Sequence, residues 1–156
     1  MKIAAIIPVK TFSNAKTRLD LSPNKKEKLC EIMLEEVVHT ISISPQIEKI
    51  VIVTKEEKAI KIGEKFNAKI IIDEKEESVN SAIELADKYL LENNFHASIV
   101  FPQDIPYIKT QDIEFMLNYK APPNFAIIVP SRRFDGTNAL VRMPVNLMKT
   151  HYDEDS

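Results

Sequence analysis

The feature that most restricts the fold is the alternation of short apolar runs with longer segments of helical period. Continuous apolar runs are typical of strands buried on both faces, and apolar residues at three- and four-residue steps are typical of amphipathic helices. The sequence predicts strands at 3–7, 49–53, 68–72, 97–101, 125–129 and 137–143, with helices at 24–42, at 55–66, from 78 and at 110–119. This order predicts an α/β fold, a three-layer α/β/α sandwich with a mostly parallel sheet.

Length and composition narrow the class of protein. The 156 residues predict one domain, residues 1–156, and the net charge of -2 gives no support for a nucleic-acid partner. No apolar stretch approaches the ~20 residues that cross a bilayer. Cys30 is the single cysteine, so neither an intrachain disulfide nor a cysteine-based metal cluster is expected. We therefore expect a cytoplasmic enzyme or binding domain.

The first candidate site is the loop that follows the first strand. Pro8 ends that strand, and Lys10, Lys16 and Arg18 follow, with no acidic residue between positions 2 and 19. In open α/β sheets, ligands bind just outside the carboxyl ends of the strands. Three cations at that position predict a site for a phosphorylated ligand. The alternative is an ordinary solvated, lysine-rich loop.

A second candidate is Asp104, which lies just beyond the fourth strand between Pro102 and Pro106. Mg²⁺ prefers one or two carboxylates together with phosphate oxygens of the substrate, so a carboxylate facing a phosphate-binding loop suits this ion. The alternative is that Asp104 stabilises a turn, which is a common role for aspartate beside proline.

A third candidate is the segment from Ser131 to Asn138. It contains Gly136, one of only two glycines, and this scarcity predicts a backbone position with positive φ or a close approach to a ligand. Ser131, Thr137 and Asn138 supply small polar donors beside two arginines, a composition that suits a phosphate or carboxylate. The alternative is a plain hairpin turn at Asp135-Gly136.

A fourth candidate is Asn80, at the start of the helix that follows the third strand. Its amide and the free backbone N–H groups there could contact a base or sugar. Capping of the helix by Ser78 explains the same residues without a ligand.

The chain resembles the 2-phospho-L-lactate guanylyltransferase family (CofC), a branch of the GT-A-like nucleotidyltransferases. Four segments carry the resemblance: Pro8-Val9-Lys10, Ala15-Lys16-Thr17-Arg18-Leu19, Gln103-Asp104-Ile105-Pro106 and Asp135-Gly136-Thr137-Asn138-Ala139-Leu140. The family joins GMP from GTP to 2-phospho-L-lactate and releases pyrophosphate, a step toward coenzyme F420; some relatives use phosphoenolpyruvate or other phosphorylated three-carbon acids. The resemblance implies the nucleotide-diphospho-sugar transferase (GT-A-like) fold.

The resemblance also implies roles for the candidate residues. Lys10, Lys16 and Arg18 would bind the triphosphate of GTP, and Asp104 would ligate Mg²⁺. The acceptor and nucleoside would be held by small polar residues: Ser131, Gly136, Thr137 and Asn138 for the acceptor, and Asn80 near the nucleoside. Such a site needs no general base, because the attacking phosphate is already anionic; alignment and charge neutralisation supply the catalysis.

The sequence departs from the family in two places. Family members usually carry glycines just before the position of Asn80, where this chain has Glu76-Glu77-Ser78-Val79. Relatives also continue past the position of Ser156, so we expect residues 1–156 to lack the family's C-terminal segment. The resemblance to the family makes a homodimer one of the possible oligomeric states.

Two alternative functions remain at this stage. One is another GT-A-like nucleotidyltransferase that activates a sugar phosphate or a molybdenum cofactor; those enzymes usually have a glycine-rich loop after the first strand, and residues 10–19 contain no glycine. The other is a non-catalytic domain that binds a nucleotide.

Overall fold

The computed structural model describes residues 1–15, 19–119 and 121–152. The strands of its sheet are β1 (Ile3–Pro8), β2 (Lys49–Thr54), β3 (Lys69–Ile72), β4 (Ala97–Val100), β5 (Phe125–Pro130) and β6 (Thr137–Met143). The α-helices are α1 (Pro23–Ser42), α2 (Glu57–Lys65), α3 (Val79–Glu92) and α4 (Thr110–Leu117). All the strands and helices that the sequence predicts are present, with bounds that differ by a few residues.

The sheet has the order β3-β2-β1-β4-β6-β5. Strands β3, β2, β1 and β4 are parallel, whereas β6 runs antiparallel to both of its neighbours. Consequently β5 runs in the same direction as β1, and the carboxyl ends of β1, β4 and β5 lie at one edge, where β6 begins. We call this edge the carboxyl rim. The loops that follow β1, β4 and β5 therefore share this edge.

Helices cover the sheet on both faces, as the three-layer prediction requires. Helices α1, α2 and α4 pack on one face, and α3 packs on the other together with Val145 and Tyr152. Ile6 and Ile7 of β1 point to opposite faces and both are fully buried. No helix among the described residues is long and apolar enough to span a membrane.

Close packing of α2 on the sheet depends on Gly63. A Cβ atom at this position would lie 2.5 Å from Cδ1 of Ile70 and 3.0 Å from Cδ1 of Ile52. Glycine therefore lets α2 approach β2 and β3 more closely than a residue with a side chain would.

A polar cluster ties β6 to α3 and β4. Arg142 is fully buried; its Nη1 and Nη2 donate to the two carboxylate oxygens of Asp87 at 2.8 and 2.6 Å, and its Nη2 also donates to Oγ of Ser98 at 3.0 Å. This bidentate geometry is the strongest form of an arginine–carboxylate contact. Burial raises the pKa of Tyr152 to about 12, against the opposing effect of Arg142.

Candidate functional site

The loop after β1 begins at the carboxyl rim. The N–H of Val9 still donates to the carbonyl of Val53 at 2.9 Å, and a short 3-10 turn follows at Phe12–Asn14. Phe12 is buried in the core beneath the loop, whereas Lys10 is exposed and has no ion pair with any described residue. Lys16 and Arg18, the other two predicted cations, lie outside the described residues.

Two carboxylates hold this loop from separate elements. Glu56, at the N-terminus of α2, accepts a hydrogen bond from the backbone N–H of Phe12 at 2.9 Å. Glu76, in the segment before α3, accepts from the backbone N–H of Thr11 and from Oγ1 of Thr11, the latter at 2.9 Å. Lys55 forms an ion pair with Glu76 at 3.3 Å. The loop backbone is thus fixed by side chains distant in sequence.

Glu76 is electrostatically and conformationally unusual. Burial favours its neutral form, but the hydrogen bonds from Thr11 and the ion pair with Lys55 outweigh this effect and lower the pKa of Glu76 from its ordinary value of 4.5. Its φ is 48°, in the left-handed region that few residues other than glycine adopt. The N–H of Glu76 donates to Oδ1 of Asp73 at 3.0 Å, which holds this backbone conformation.

The second candidate, Asp104, lines a cavity of about 770 Å³ beside α4. Asn138 lines the same cavity, so the loop after β4 and the start of β6 do meet there. The rest of the wall is largely apolar and includes Met33, Ile105, Ile108, Phe115, Met116, Ile127, Val129 and Ala139. Oε1 of Gln103, next to Asp104, is buried without a hydrogen-bond partner among the described residues.

The donor set at the cavity fits a weakly held divalent ion. Among the described residues no group of three or more His, Cys, Asp or Glu side chains could enclose a metal. Mg²⁺ does not need such a cage, because it commonly takes one or two carboxylates, water and substrate phosphate oxygens. The exposed carboxylate of Asp104 suits that kind of site.

The segment between β5 and β6 is a hairpin turn, as one of the two alternatives predicted. The N–H of Ser131 donates to the carbonyl of Gly136 at 2.7 Å, and Oγ of Ser131 donates to Oδ1 of Asp135 at 2.7 Å. The expectation of a positive φ at Gly136 is wrong, whereas a close approach of a ligand there stays a prediction. Its φ is not positive, and a Cβ there would come no closer than 3.9 Å to Ser131, because Phe134, with φ 60°, takes the left-handed position of the turn. A ligand-binding role for Ser131, Gly136, Thr137 and Asn138 stays a prediction.

Asn80 lies at the start of α3 and contacts the protein itself. Its Nδ2 donates to the carbonyl of Tyr152 at 2.9 Å, and its Oδ1 accepts from the N–H of Tyr152 at 2.8 Å. The predicted cap is also present, because Oγ of Ser78 accepts from the N–H of Ser81 at 3.0 Å. Contact between Asn80 and a nucleoside stays a prediction.

Of the predicted residues that the structure describes, Lys10, Asp104 and Asn138 lie at the rim but line separate cavities. Lys10 lines a small cavity of about 20 Å³ with Glu76 and Val79, whereas Asp104 and Asn138 line the large one. The sequence does not reveal that Glu56 and Glu76 hold this loop, because Glu56 lies 44 positions from its partner Phe12 and Glu76 lies 65 positions from its partner Thr11.

The α/β fold, with its mostly parallel sheet, is similar to the fold of the nucleotide-diphospho-sugar transferases. A protein of that class from Desulfovibrio desulfuricans G20 matches with a TM-score of 0.69 at 12% identity, over 95% of this chain and 66% of that one. A cytidylyltransferase from Leptospira borgpetersenii matches with a TM-score of 0.63 at 14% identity, over 94% of this chain and 62% of that one. At such identities the likeness shows the fold alone.

The family follows from the sequence: the chain belongs to the CofC-like guanylyl transferases, whose family model matches residues 3–156. The 2-phospho-L-lactate guanylyltransferase of Methanobrevibacter ruminantium is 33% identical over 92% of this chain and 65% of that protein. The phosphoenolpyruvate guanylyltransferase of Conexibacter woesei is 27% identical over 100% of the chain and 71% of that protein. A 3-phospho-D-glycerate guanylyltransferase from Colwellia psychrerythraea is 28% identical over 100% of this chain and 74% of that protein. The chain thus spans about two thirds of these relatives.

Proposed function

We propose that this chain transfers GMP from GTP to 2-phospho-L-lactate, or to a similar phosphorylated three-carbon acid such as phosphoenolpyruvate, with release of pyrophosphate, in the biosynthesis of coenzyme F420. The observation that carries the proposal is the family match over residues 3–156. The relatives described above have guanylyl transfer in common and differ in the phosphorylated acid that they are named for.

The proposed reaction is an in-line substitution at the α-phosphorus of GTP. A phosphate oxygen of the acceptor forms a bond to that phosphorus, and the bond from the phosphorus to the oxygen bridging to the β-phosphate breaks. The electron pair leaves with pyrophosphate. Because the nucleophile is already anionic at neutral pH, the site needs to align two anions and neutralise their charge rather than remove a proton.

In this proposal Lys10 binds the triphosphate, and Lys16 and Arg18 act with it. The exposed ammonium group of Lys10 at the rim, without an ion pair to any described residue, supports the assignment. Phosphate oxygens attract such a charge in a site partly shielded from water more strongly than in bulk solvent.

Asp104 is the residue proposed to hold Mg²⁺. When bound, the ion would neutralise phosphate charge and help to orient the triphosphate. The position of Asp104 on the wall of a cavity large enough for a substrate supports this role, and Asn138, which lines the same cavity, is proposed to bind the acceptor. Ser131, Gly136 and Thr137 are proposed to act with Asn138, and Asn80 to contact the nucleoside after releasing Tyr152.

The setting of the reaction is part of the same proposal. GTP and phosphorylated acids are cytoplasmic metabolites, so we propose cytoplasmic activity. A homodimer is a further expectation from the family resemblance, and the molar mass in solution, measured by light scattering, tests it directly.

The proposal is tested by pyrophosphate release from pairs of nucleotides and phosphorylated acids in the presence of Mg²⁺. We expect GTP with phospholactate or a close analogue to be the productive pair. Asp104→Asn should lower turnover by about a hundredfold, on the scale of losing one electrostatic contact to the transition state. Glu114→Gln removes a carboxylate from α4 that does not line the cavity, and it should change turnover less than threefold, the small effect expected of a substitution outside the binding site.

Two results would contradict the proposal. Undiminished Mg²⁺-dependent turnover in Asp104→Asn would remove Asp104 from the metal site. Binding of GTP without pyrophosphate release from any acceptor would favour a non-catalytic nucleotide-binding domain.

A further inference from the structure

We infer that Glu56 and Glu76 are positioning residues: they fix the backbone of the loop after β1 so that Lys10 stands ready for an anionic ligand. The inference rests on the proposed function for the identity of that ligand, a nucleoside triphosphate. It assigns neither glutamate a contact with substrate. We call this pair of residues the carboxylate clamp.

The geometry of the clamp shows that it holds the loop from two sides. Glu56 belongs to the segment between β2 and α2 and binds the N–H of Phe12. Glu76 belongs to the segment between β3 and α3 and binds both the N–H and the hydroxyl of Thr11. Since consecutive residues are tied to two different elements, a shift of the loop breaks at least one charge-assisted hydrogen bond.

Glu56 has a second function that keeps it in place. Its Oε1 accepts from the N–H of Lys58 at 3.3 Å, so the same carboxylate caps α2 and holds the loop. Its own N–H donates to Oγ1 of Thr54 at 3.0 Å. The position of the loop is thereby linked to the end of β2, in the parallel part of the sheet, and to the start of α2, which packs on that sheet.

The charges of the clamp explain why Lys10 stays available. Two carboxylates beside a lysine would ordinarily pair with it and neutralise it. Here the oxygens of Glu76 are engaged by Thr11 and Lys55, and those of Glu56 by backbone N–H groups. Lys10, in contrast, has no ion pair with a described residue. The clamp thus orders the cationic loop without consuming this cation.

The backbone of Glu76 adds an independent reason. A non-glycine residue at φ 48° is strained and persists where its surroundings fix it. A glycine would take this conformation at no steric cost. The contacts of the glutamate side chain with Thr11 and Lys55 offset the cost of this backbone conformation.

The first part of the test measures the loop without any ligand, by amide hydrogen exchange of Thr11 and Phe12 in NMR spectra of the full chain. Glu76→Gly removes the carboxylate and the strain together, and should speed exchange of the Thr11 amide by about tenfold, the scale of one hydrogen bond to a charged group. Glu76→Gln keeps a side-chain acceptor and should show an intermediate rate. Glu56→Ala should speed the exchange of the Phe12 amide, because it removes the acceptor of that N–H.

The matched control is Glu77→Gln. Glu77 carries the same charge, one residue along, but is exposed and pairs with Lys75 at 3.9 Å rather than with the loop. Exchange at Thr11 and Phe12 should be unchanged in this variant. Unchanged exchange in Glu76→Gly would overturn the clamp.

The second part measures ligand binding. Glu76→Gly should raise the dissociation constant of Mg²⁺–GTP by about tenfold, and the KM for GTP likewise, with a smaller change in the KM for the acceptor. A purely structural defect would weaken both substrates alike, and that result would overturn the positioning role. If the unaltered chain binds no nucleotide, the proposed function fails and so does the ligand part of this inference, while the exchange rates still decide the clamp.

Discussion

The parallel part of the sheet and its β5–β6 hairpin are stabilised in different ways. In the parallel part, Ile6, Ile7 and Ile52 are completely buried between helices. In the hairpin, β5 alternates between half-buried and exposed residues, and the side chain of Ile128 is 58% exposed. The hairpin pairs with β4 through β6, whose Ala139, Leu140 and Val141 are buried in the core, and the guanidinium of Arg142 adds polar contacts with α3 and β4. Apolar burial thus stabilises both regions, and in the hairpin it is concentrated on β6 and joined by a directional polar contact.

The same contrast applies at the carboxyl rim. The loop after β1 is held by Glu56 and Glu76, which come from other elements. The turn between β5 and β6 is closed by bonds among its own residues, from Ser131 to Asp135 and Gly136. The proposed nucleotide side of the site therefore depends on the segments that follow β2 and β3 in the parallel part, whereas the proposed acceptor side depends on a local turn.

The largest effect is expected where the hairpin joins the core. Arg142→Ala should lower the free energy of unfolding by about 3–5 kcal/mol, because it leaves the carboxylate of Asp87 without its partner and opens a buried space. Denaturation by urea, followed by circular dichroism, measures the change. The double variant Arg142→Met, Asp87→Leu should recover a large part of the loss, since no unpaired charge remains.

An exposed ion pair is the control for this prediction. Lys2 and Glu48 lie 3.7 Å apart with both side chains about half exposed, and Glu48→Ala should cost less than ~1 kcal/mol. A loss in Arg142→Ala no larger than that of the control would show that the hairpin does not depend on the buried pair.

A smaller effect is expected at alkaline pH, from Tyr152 beside Arg142. Its pKa is raised from 10.0 to about 12, so folding disfavours the ionised phenol. The associated stability is fully present below pH 10 and is lost as the pH rises toward 12; by pH 11 the loss is on the order of 1 kcal/mol. Tyr152→Phe should lack this dependence. Parallel stability curves of the two proteins between pH 9 and 11 would contradict the prediction.

The smallest effects on stability are expected from substitutions of the two glycines. Gly63 lies in α2, on the parallel part of the sheet, and Gly136 lies in the turn between β5 and β6. Gly63→Ala forces Ile70 and Ile52 to move, and overpacking of about 1–3 kcal/mol is partly offset by the better helix propensity of alanine. We expect a net loss of roughly 1 kcal/mol, and for Gly136→Ala a change within about 0.5 kcal/mol, because its Cβ would make only ordinary van der Waals contact with Ser131. Thermal unfolding of both variants decides this, and equal losses would contradict it.

The parallel part of the fold could be predicted from the sequence more fully than the β5–β6 hairpin. The parallel part was predictable because continuous apolar runs and amphipathic helices specify buried strands and the helices that cover them. The direction of β6 was not predictable, since an apolar run has no polarity. The positive φ predicted for Gly136 from the scarcity of glycine was wrong, because Phe134 adopts the left-handed conformation of the turn instead. The clamp was invisible because its bonds join residues far apart in the chain.

The self-contained turn at residues 131–136 has a consequence for the evolution of substrate choice. Because its hydrogen bonds are internal, positions of the turn other than Ser131 and Asp135 can change without removing a contact to the rest of the sheet. Under the proposed function, natural selection or a directed library can therefore vary groups beside the proposed acceptor while the parallel core stays the same.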